Sequence, residues 1–332
     1  MSTFTAFRIH DTGGKIAARF EHLTLDALTP GEVVIEVRYS GINFKDALAA
    51  TGAGKILRRY PLVGGIDLAG VVQSSADARY QPGDAVLVTG SGLSETADGG
   101  YAELARVAGD SVIPMPHGLD AFRAMALGTA GFTAALAIHR MERNGQSPGR
   151  GPIVVTGASG GVGSIAVDML AGRGYEVVAV TGKPEASDYL KSLGASKIVP
   201  RGELAPGTRP LEATRFAGAI DNVGGAMLAG LTRQVDFWGN IASVGLTGGV
   251  ELEMTVLPFI LRGINLLGIN SSATRRAERL EVWQRIATDL TPRHLERIAG
   301  RTISFAQLPG AFQAYLDGKV TGRTVVRIAA PP

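Results

Sequence analysis

Residues 153–164 read IVVTGASGGVGS, a β-branched run that halts at a glycine-rich turn and resumes with helical character. Few local patterns restrict a fold as strongly. Gly157 suits the tight turn, Gly160 lets the backbone approach a pyrophosphate, and Gly163 lets the new helix pack closely on the strand. The helix N-terminus then faces the phosphates. The first gap is one residue longer than in G-x-G-x-x-G, and Ser159, Gly161 and Val162 complete the turn. VVAVTG follows the helix, so the segment is a strand–turn–helix–strand unit. A glycine-rich turn without ligand is the alternative, but agreement of strand, turn and helix favours a dinucleotide.

Cofactor choice is read at the end of the second strand, where NAD-binding chains place a carboxylate about 20 residues on. Here the chain reads Thr181-Gly182-Lys183. A hydroxyl and an ammonium suit a 2′-phosphate, which favours NADPH. A solvated Lys183 beside Glu185 is the other reading.

Beyond the linker from Asn144 to Pro152, strands and helices alternate: IVVTG, a helix over 161–173, VVAVTG, a helix over 184–193, KIVP, AGAIDNVG, a helix over 225–235, NIASVG and INLLGIN. That order predicts a doubly wound parallel sheet. The first 115 residues alternate instead with period two, as in EVVIEVRYS and DAVLVTG, which predicts a β unit. A helical stretch begins at Ala121, and a final helix over 275–289 precedes two more strands, ISFAQL and TVVRI. The expected division is therefore 1–124 with 271–332 for one domain and 125–270 for the other. At 332 residues the chain exceeds the size of a single typical core.

Composition narrows the function classes. Thirty-three Lys and Arg against 30 Asp and Glu leave a net charge of +3, too small for a nucleic-acid-binding field. With no cysteine, disulfides, Cys-ligated zinc and thiol nucleophiles are excluded. The five histidines, at 10, 22, 117, 139 and 294, share no helical ligand spacing, so no metal site is expected. The N-terminus lacks a signal-peptide core and no run approaches about 18 apolar residues. These features predict a soluble cytoplasmic protein with no membrane partner.

The chain resembles the medium-chain dehydrogenase/reductases, and within them the zinc-free acrylyl-CoA reductase group of quinone-oxidoreductase-like proteins. The resemblance rests on NFKDALAATGAGKI (43–56), GIDLAGVV (65–72), GTAGFTAALAI (128–138), VTGASGGVGS (155–164), YLKSLGASKIVPR (189–201), AGAIDNVG (217–224), LPFILRGINLLGIN (257–270) and GRTVVRI (322–328). It implies an α/β protein: a GroES-like β domain plus a Rossmann domain with a doubly wound parallel sheet, and an active site in the cleft between them. Asn43 and Gly65-Ile66-Asp67 stand where zinc-dependent relatives carry metal ligands, which implies zinc-free chemistry.

The reaction implied is hydride transfer from NADPH to the β-carbon of an α,β-unsaturated acyl-CoA, followed by protonation of the α-carbon. Asn43 would donate to the thioester oxygen, oriented by Lys45 or Asp46; equally, Asn43 caps the helix FKDALAAT. Asp67 is a candidate catalytic group or a turn residue tied to backbone amides. Arg323 is placed by the resemblance near the cleft, and its bland reading is a surface salt bridge. The resemblance also carries Thr129, Asn222, Val244, Gly245, Leu246, Asn270 and Arg323 over as cofactor contacts. Lys55, Arg58 and Arg59 form the densest basic cluster of the first domain; they are either contacts for CoA phosphates or a solvated turn. The family's usual Tyr is Phe44 here, and its Trp-Gly…His-Trp-Gly-Gly loop reads Ser91-Gly92…Ala97-Asp98-Gly99-Gly100. Small enones or quinones are therefore alternative substrates, and a nucleotide-binding protein with little catalysis, as in crystallin-type relatives, is a further alternative. INLLGIN is an apolar final strand whose open edge predicts a homodimer, unless a helix of the same subunit covers it.

Overall fold

The computed structural model describes residues 3–204, 207 and 209–329. The chain forms two compact units, one of Met1–Thr129, Ser271–Trp283 and Leu295–Pro332, the other of Ala130–Asn270 and Gln284–His294.

The first unit opens with an antiparallel hairpin, β1 (Phe4–Thr12) and β2 (Lys15–Leu23). β3 (Val33–Ile42) follows and runs into α1 (Phe44–Thr51). Four more strands complete this pass: β4 (Leu62–Val63), β5 (Asp67–Ser75), β6 (Ala85–Thr89) and β7 (Leu104–Val107), with the short β8 at Ile113–Pro114. β3 alternates buried and half-buried residues along its first half, with Val33, Ile35 and Val37 facing the core as its period-two pattern requires. Those residues join Phe7, Leu68, Val86 and Tyr101 in one apolar cluster.

α2 (Ala121–Arg143) interrupts its own helix at Gly128, where φ is 51° and ψ is −154°. It is long and apolar enough to span a membrane by length and composition, which corrects the expectation that no segment reaches that size. Counting uninterrupted apolar residues missed it, because scattered polar positions break the run without lowering the average much. In the folded protein 78% of its most apolar window is buried.

The second unit contains β9 (Ile153–Thr156), α3 (Gly161–Gly172), β10 (Val177–Thr181), α4 (Ser187–Ser192), β11 (Lys197–Pro200), β12 (Phe216–Asp221), α5 (Gly225–Gln234), β13 (Val235–Ser243), α6 (Leu257–Arg262) and β14 (Asn265–Gly268). All six strands are parallel, in the order β11-β10-β9-β12-β13-β14. Because β9 and β10 are buried along their whole length, they read as continuous apolar runs rather than alternating ones. The strand order reverses between β9 and β12, and an open α/β sheet binds ligands at the carboxyl ends of the strands flanking such a switch. The helix expected over 184–193 is divided into a 3₁₀ turn at Pro184–Ala186 and α4, as the proline at its start permits.

The remaining elements are α7 (Arg276–Ala287), α8 (Leu295–Ile298), β15 (Arg301–Ser304), α9 (Phe312–Leu316) and β16 (Thr324–Arg327). β15 and β16 join the first unit's larger sheet, whose order is β15-β16-β3-β5-β6-β8 with β7 also on β3.

Candidate functional site

In the second unit the functional cluster gathers where β9, β10 and β12 end. Gly157 follows β9 with φ at +57°, a left-handed conformation that only glycine adopts cheaply. A Cβ on Gly163 would lie 2.3 Å from the Gly157 carbonyl oxygen, so this position has to be glycine for α3 to start so close to the turn. Gly160 caps the helix, and the half-buried Gly161 and Val162 form its first turn. The turn is tied to the next strand by the Ala158 N–H donating to Val180 O at 3.1 Å and by a 3.1 Å hydroxyl contact between Ser159 and Thr181.

At the switch point Thr156 donates to Asp221 Oδ1 at 2.6 Å and accepts from the Asn222 N–H at 3.0 Å. Asn222 Nδ2 donates to Thr156 O at 2.8 Å, and the Gly224 N–H donates to Asp221 Oδ2 at 2.7 Å. Burial pushes the Asp221 carboxyl up, against the hydrogen bonds that favour its charge. Val244 and Gly245 both donate to the Asp221 carbonyl, which brings these two predicted residues to the same strand ends. The Asn222 Oδ1 atom is buried with no hydrogen-bond partner, an acceptor left over for a donor such as a ribose hydroxyl. The left-handed turn, the half-buried helix start and this orphaned acceptor all fit a dinucleotide. Leu246 is exposed in the loop that follows, and Asn270 lies two residues beyond β14.

Lys183 is half-buried just past β10, and desolvation pulls its pKa down against the charge of Glu185. Its N–H donates to Thr181 Oγ1 at 3.1 Å. A Cβ on Gly182 would lie 3.6 Å from the Arg201 guanidinium. Sequence reading missed Arg201, although parallel pairing of Thr181 with Pro200 puts it directly beside the predicted Thr181-Gly182-Lys183 turn. Residues from the ends of two adjacent strands thus form one basic cradle.

In the first unit the structure brings together four predicted residues and separates a fifth. Asn43 precedes α1, and its side-chain NH₂ donates to Asp46 Oδ2 at 3.1 Å and to Asp67 Oδ2 at 2.8 Å. Arg323 Nη1 donates to Asn43 Oδ1 at 2.9 Å and to Ile42 O at 2.9 Å, while Nε donates to Ala126 O at 3.2 Å. Asp67 also accepts from the Thr129 N–H and hydroxyl, at 2.9 and 2.5 Å, and faces Arg323 Nη2 at 3.8 Å. The break at Gly128 is what lets Thr129 turn its amide to Asp67, and a Cβ there would sit 2.6 Å from the carboxylate.

Four expectations change. Arg323 is 3% exposed and holds a buried network, not a surface salt bridge. Asp67 is the first residue of β5 and not a turn residue, although it is tied to a backbone amide, that of Thr129. Lys45 pairs with Glu95 and does not orient Asn43, because the first turn of α1 points it away from Asp46. The Asn43 amide has both of its donors engaged by carboxylates, so its side chain braces this network and has no N–H left for a thioester oxygen. Burial, and then the charge of Asp67, push the Asp46 carboxyl up to about 7, although Asn43 and Ile66 donate to it. Lys55, Arg58 and Arg59 are exposed in the turn after α1, with the Arg58 N–H donating to Glu95 O at 2.8 Å. Among the described residues no group of three or more His, Asp or Glu side chains converges as for a metal ion.

A GroES-like β unit together with a Rossmann unit defines the medium-chain oxidoreductase architecture. Residues 29–117 match the alcohol dehydrogenase GroES-like domain family, and residues 161–288 match the zinc-binding dehydrogenase family. The chain is 49% identical to acrylyl-CoA reductase AcuI of Ruegeria pomeroyi, over 96% of this chain and 97% of that one. It is 46% identical to YhfP of Bacillus subtilis, which carries a provisional quinone-oxidoreductase name, over 99% of this chain and 100% of that one. The crystal structure of the Salmonella enterica YhdH oxidoreductase in complex with NADP superposes with a TM-score of 0.95 at 45% identity, covering 98% of this chain and 100% of that one. The chain belongs to the medium-chain dehydrogenase/reductase family, in its zinc-free group of acrylyl-CoA reductases and quinone-oxidoreductase-like proteins.

Proposed function

We propose that the protein is a cytoplasmic NADPH-dependent reductase of the carbon–carbon double bond in an α,β-unsaturated acyl-CoA of the acrylyl-CoA type. The observation that carries the reading is the cradle of Thr181, Lys183 and Arg201 beside the glycine turn, in a chain close to AcuI over nearly its whole length. When bound, the reduced nicotinamide supplies hydride. Thr181, Lys183 and Arg201 hold the 2′-phosphate; Gly157, Ser159, Gly160, Gly161, Val162 and Gly163 seat the pyrophosphate against the start of α3; Asn222, Val244, Gly245, Leu246 and Asn270 complete the nucleotide side. The unit of 130–270 and 284–294, rather than the 125–270 expected from sequence, serves this role, and 1–129, 271–283 and 295–332 carry the substrate. There Asn43, Asp46, Asp67 and Arg323 act as positioning residues that fix the start of α1 and the backbone at Thr129. Lys55, Arg58 and Arg59 supply positive charge for an anionic thioester.

Following NADPH absorbance in parallel with acrylyl-CoA, crotonyl-CoA and a small quinone tests this reading. Turnover of the thioesters is expected. Quinone turnover alone would place the chemistry with quinone reduction, as the YhfP name suggests for that relative. No turnover across the panel would leave a nucleotide-binding protein. Lys183→Ala or Arg201→Ala removes one charge-assisted contact of about 1.5–3 kcal/mol, which raises the Kd for NADPH about 10- to 150-fold. Fluorescence titration should show NADH binding unchanged, and an equal loss for both cofactors would exclude the 2′-phosphate role.

We also propose a homodimer paired through β14, the edge strand of its sheet. Trp238, Val256, Ile260 and Leu261 of the same unit each expose more than half of their surface, an apolar area that a partner would cover.

A further inference from the structure

We propose that an open pocket of about 560 Å³ in the first unit seats the phosphate-bearing end of coenzyme A, its 3′-phosphoadenosine diphosphate, with Arg275 and Arg276 as the anchoring cations. This rests on the thioester reading above and names where the substrate's remote half is held. The pocket lies between the loop after β6 and the segment leading into α7, with Ser91, Ser111, Ser272, Arg275, Arg276 and Arg279 among its lining. The two loops brace each other. The Ser91 N–H donates to Ser272 O at 3.1 Å, and a Cβ on Gly90 would lie 2.9 Å from the Ser272 Cα. Ser91 also stands where the family pattern carries Trp, so a small side chain borders space that an indole would fill.

The lining chemistry selects the ligand. The hydroxyls of Ser91, Ser111 and Ser272 and the guanidinium groups of Arg275 and Arg276 are donors, and a multiply charged phosphate ester offers oxygen acceptors to each of them. Two acids line the pocket: Glu95 pairs with Lys45, and Asp110 shares Arg79, at 2.8 Å, with Asp77. Arg276 donates to the carbonyls of Asp110 and Val112 and, at 2.7 Å, to Tyr80 Oη, all neutral acceptors that fix its guanidinium without cancelling its charge. Arg275 is exposed beside it, at the start of the 12-residue α7, whose N-terminus adds partial positive charge. The volume falls within the roughly 300–1,000 Å³ usual for cofactor-sized ligands and exceeds what one phosphate needs.

The pocket also backs onto the buried network. Arg279 is 2% exposed and donates to Thr89 O at 2.8 Å and to Thr89 Oγ1 at 3.1 Å, and Thr89 is the β6 residue paired with Asp67. Phosphates bound at Arg275 and Arg276 would therefore place the pantetheine arm within the same unit as Asn43 and Asp67. Binding energy from this remote half would serve to position the reacting end.

The test compares acrylyl-CoA with acrylyl-pantetheine, which carries the same thioester and no phosphate. It adds calorimetric titration with adenosine 3′,5′-bisphosphate, with NADPH at saturation so that the nucleotide turn is already occupied. Arg275→Ala is expected to raise the KM for acrylyl-CoA about tenfold at nearly constant kcat, with no change for acrylyl-pantetheine. Arg275→Lys should recover most of the loss, Arg275→Glu should deepen it, and the bisphosphate should bind the parent and not Arg275→Glu. If the parent reduces acrylyl-CoA but the Arg275 variants keep its KM and bind the bisphosphate normally, the pocket assignment is overturned and the reductase reading stands. If the parent reduces neither thioester yet loses bisphosphate binding on Arg275→Glu, the reductase reading fails and the phosphoadenosine site remains. Failure of the parent to bind the bisphosphate overturns the pocket assignment outright.

Discussion

Arg323 is bonded through Nε and Nη1 to the carbonyls of Ala126 and Ile42 and to the Asn43 side chain, while Nη2 faces Asp67. Lysine cannot reproduce that fork. Arg323→Met should destabilise the protein by about 3–5 kcal/mol in urea melts, because it leaves Asp67 buried without its cation. Asp46 gives a pH prediction. Its folded value of about 7 lies above the ordinary carboxylate range, so between roughly pH 4 and 7 the folded state holds a proton that the unfolded state has released. Stability therefore falls as pH rises through that window and levels off above it. Asp46→Asn should lower stability overall and flatten the slope; a slope that persists in the variant would assign the proton elsewhere. The identity of these residues was legible in NFKD, GIDLAG and GRTVVRI, but their roles were not. Asn43 and Arg323 are 280 positions apart, and only the assembled sheet shows that the asparagine's donors are occupied. Arg201 escaped notice for a smaller version of the same reason, since its place beside Gly182 depends on the register of β10 with β11.

The glycine turn was legible at the level of elements because its logic is local: strand, turn and helix are contiguous, and each glycine answers a clash or a dihedral within a few residues. Gly128 was harder to read, because nothing adjacent in sequence marks it as a break in α2; its cause lies in Asp67 and Arg323, each within 2.7 Å of where a Cβ would stand. Gly128→Ala combines a strained φ with that overlap, and should cost about 2–5 kcal/mol. Differential scanning calorimetry checks it; a variant that melts with the parent would show that α2 tolerates a regular helix here. Another element-scale surprise lies in β13, where Trp238 adopts a φ of +59° and exposes 67% of its surface. Arg150 holds that turn by donating to the carbonyls of Phe237 and Trp238.

For the whole molecule the prediction concerns assembly. Light scattering at micromolar concentration should give twice the mass of the chain, and Ile260→Asp should shift it toward the monomer by charging the exposed apolar surface near β14. A parent that scatters as a single chain would overturn the dimer.

The order in which the chain visits its two units has a consequence for recombination. The backbone passes between them after residues 129, 270, 283 and 294, and the third passage falls inside α7. A gene chimaera that exchanges one nucleotide-binding unit for another by a single crossover, or even by a double one, would leave 271–283, 284–294 or the strand-bearing C-terminal segment with the wrong parent. Only an exchange that respects all four junctions, including one in mid-helix, would transplant cofactor preference as an intact block. Point changes at Lys183 and Arg201 are therefore the more accessible route by which such a protein could change its nucleotide.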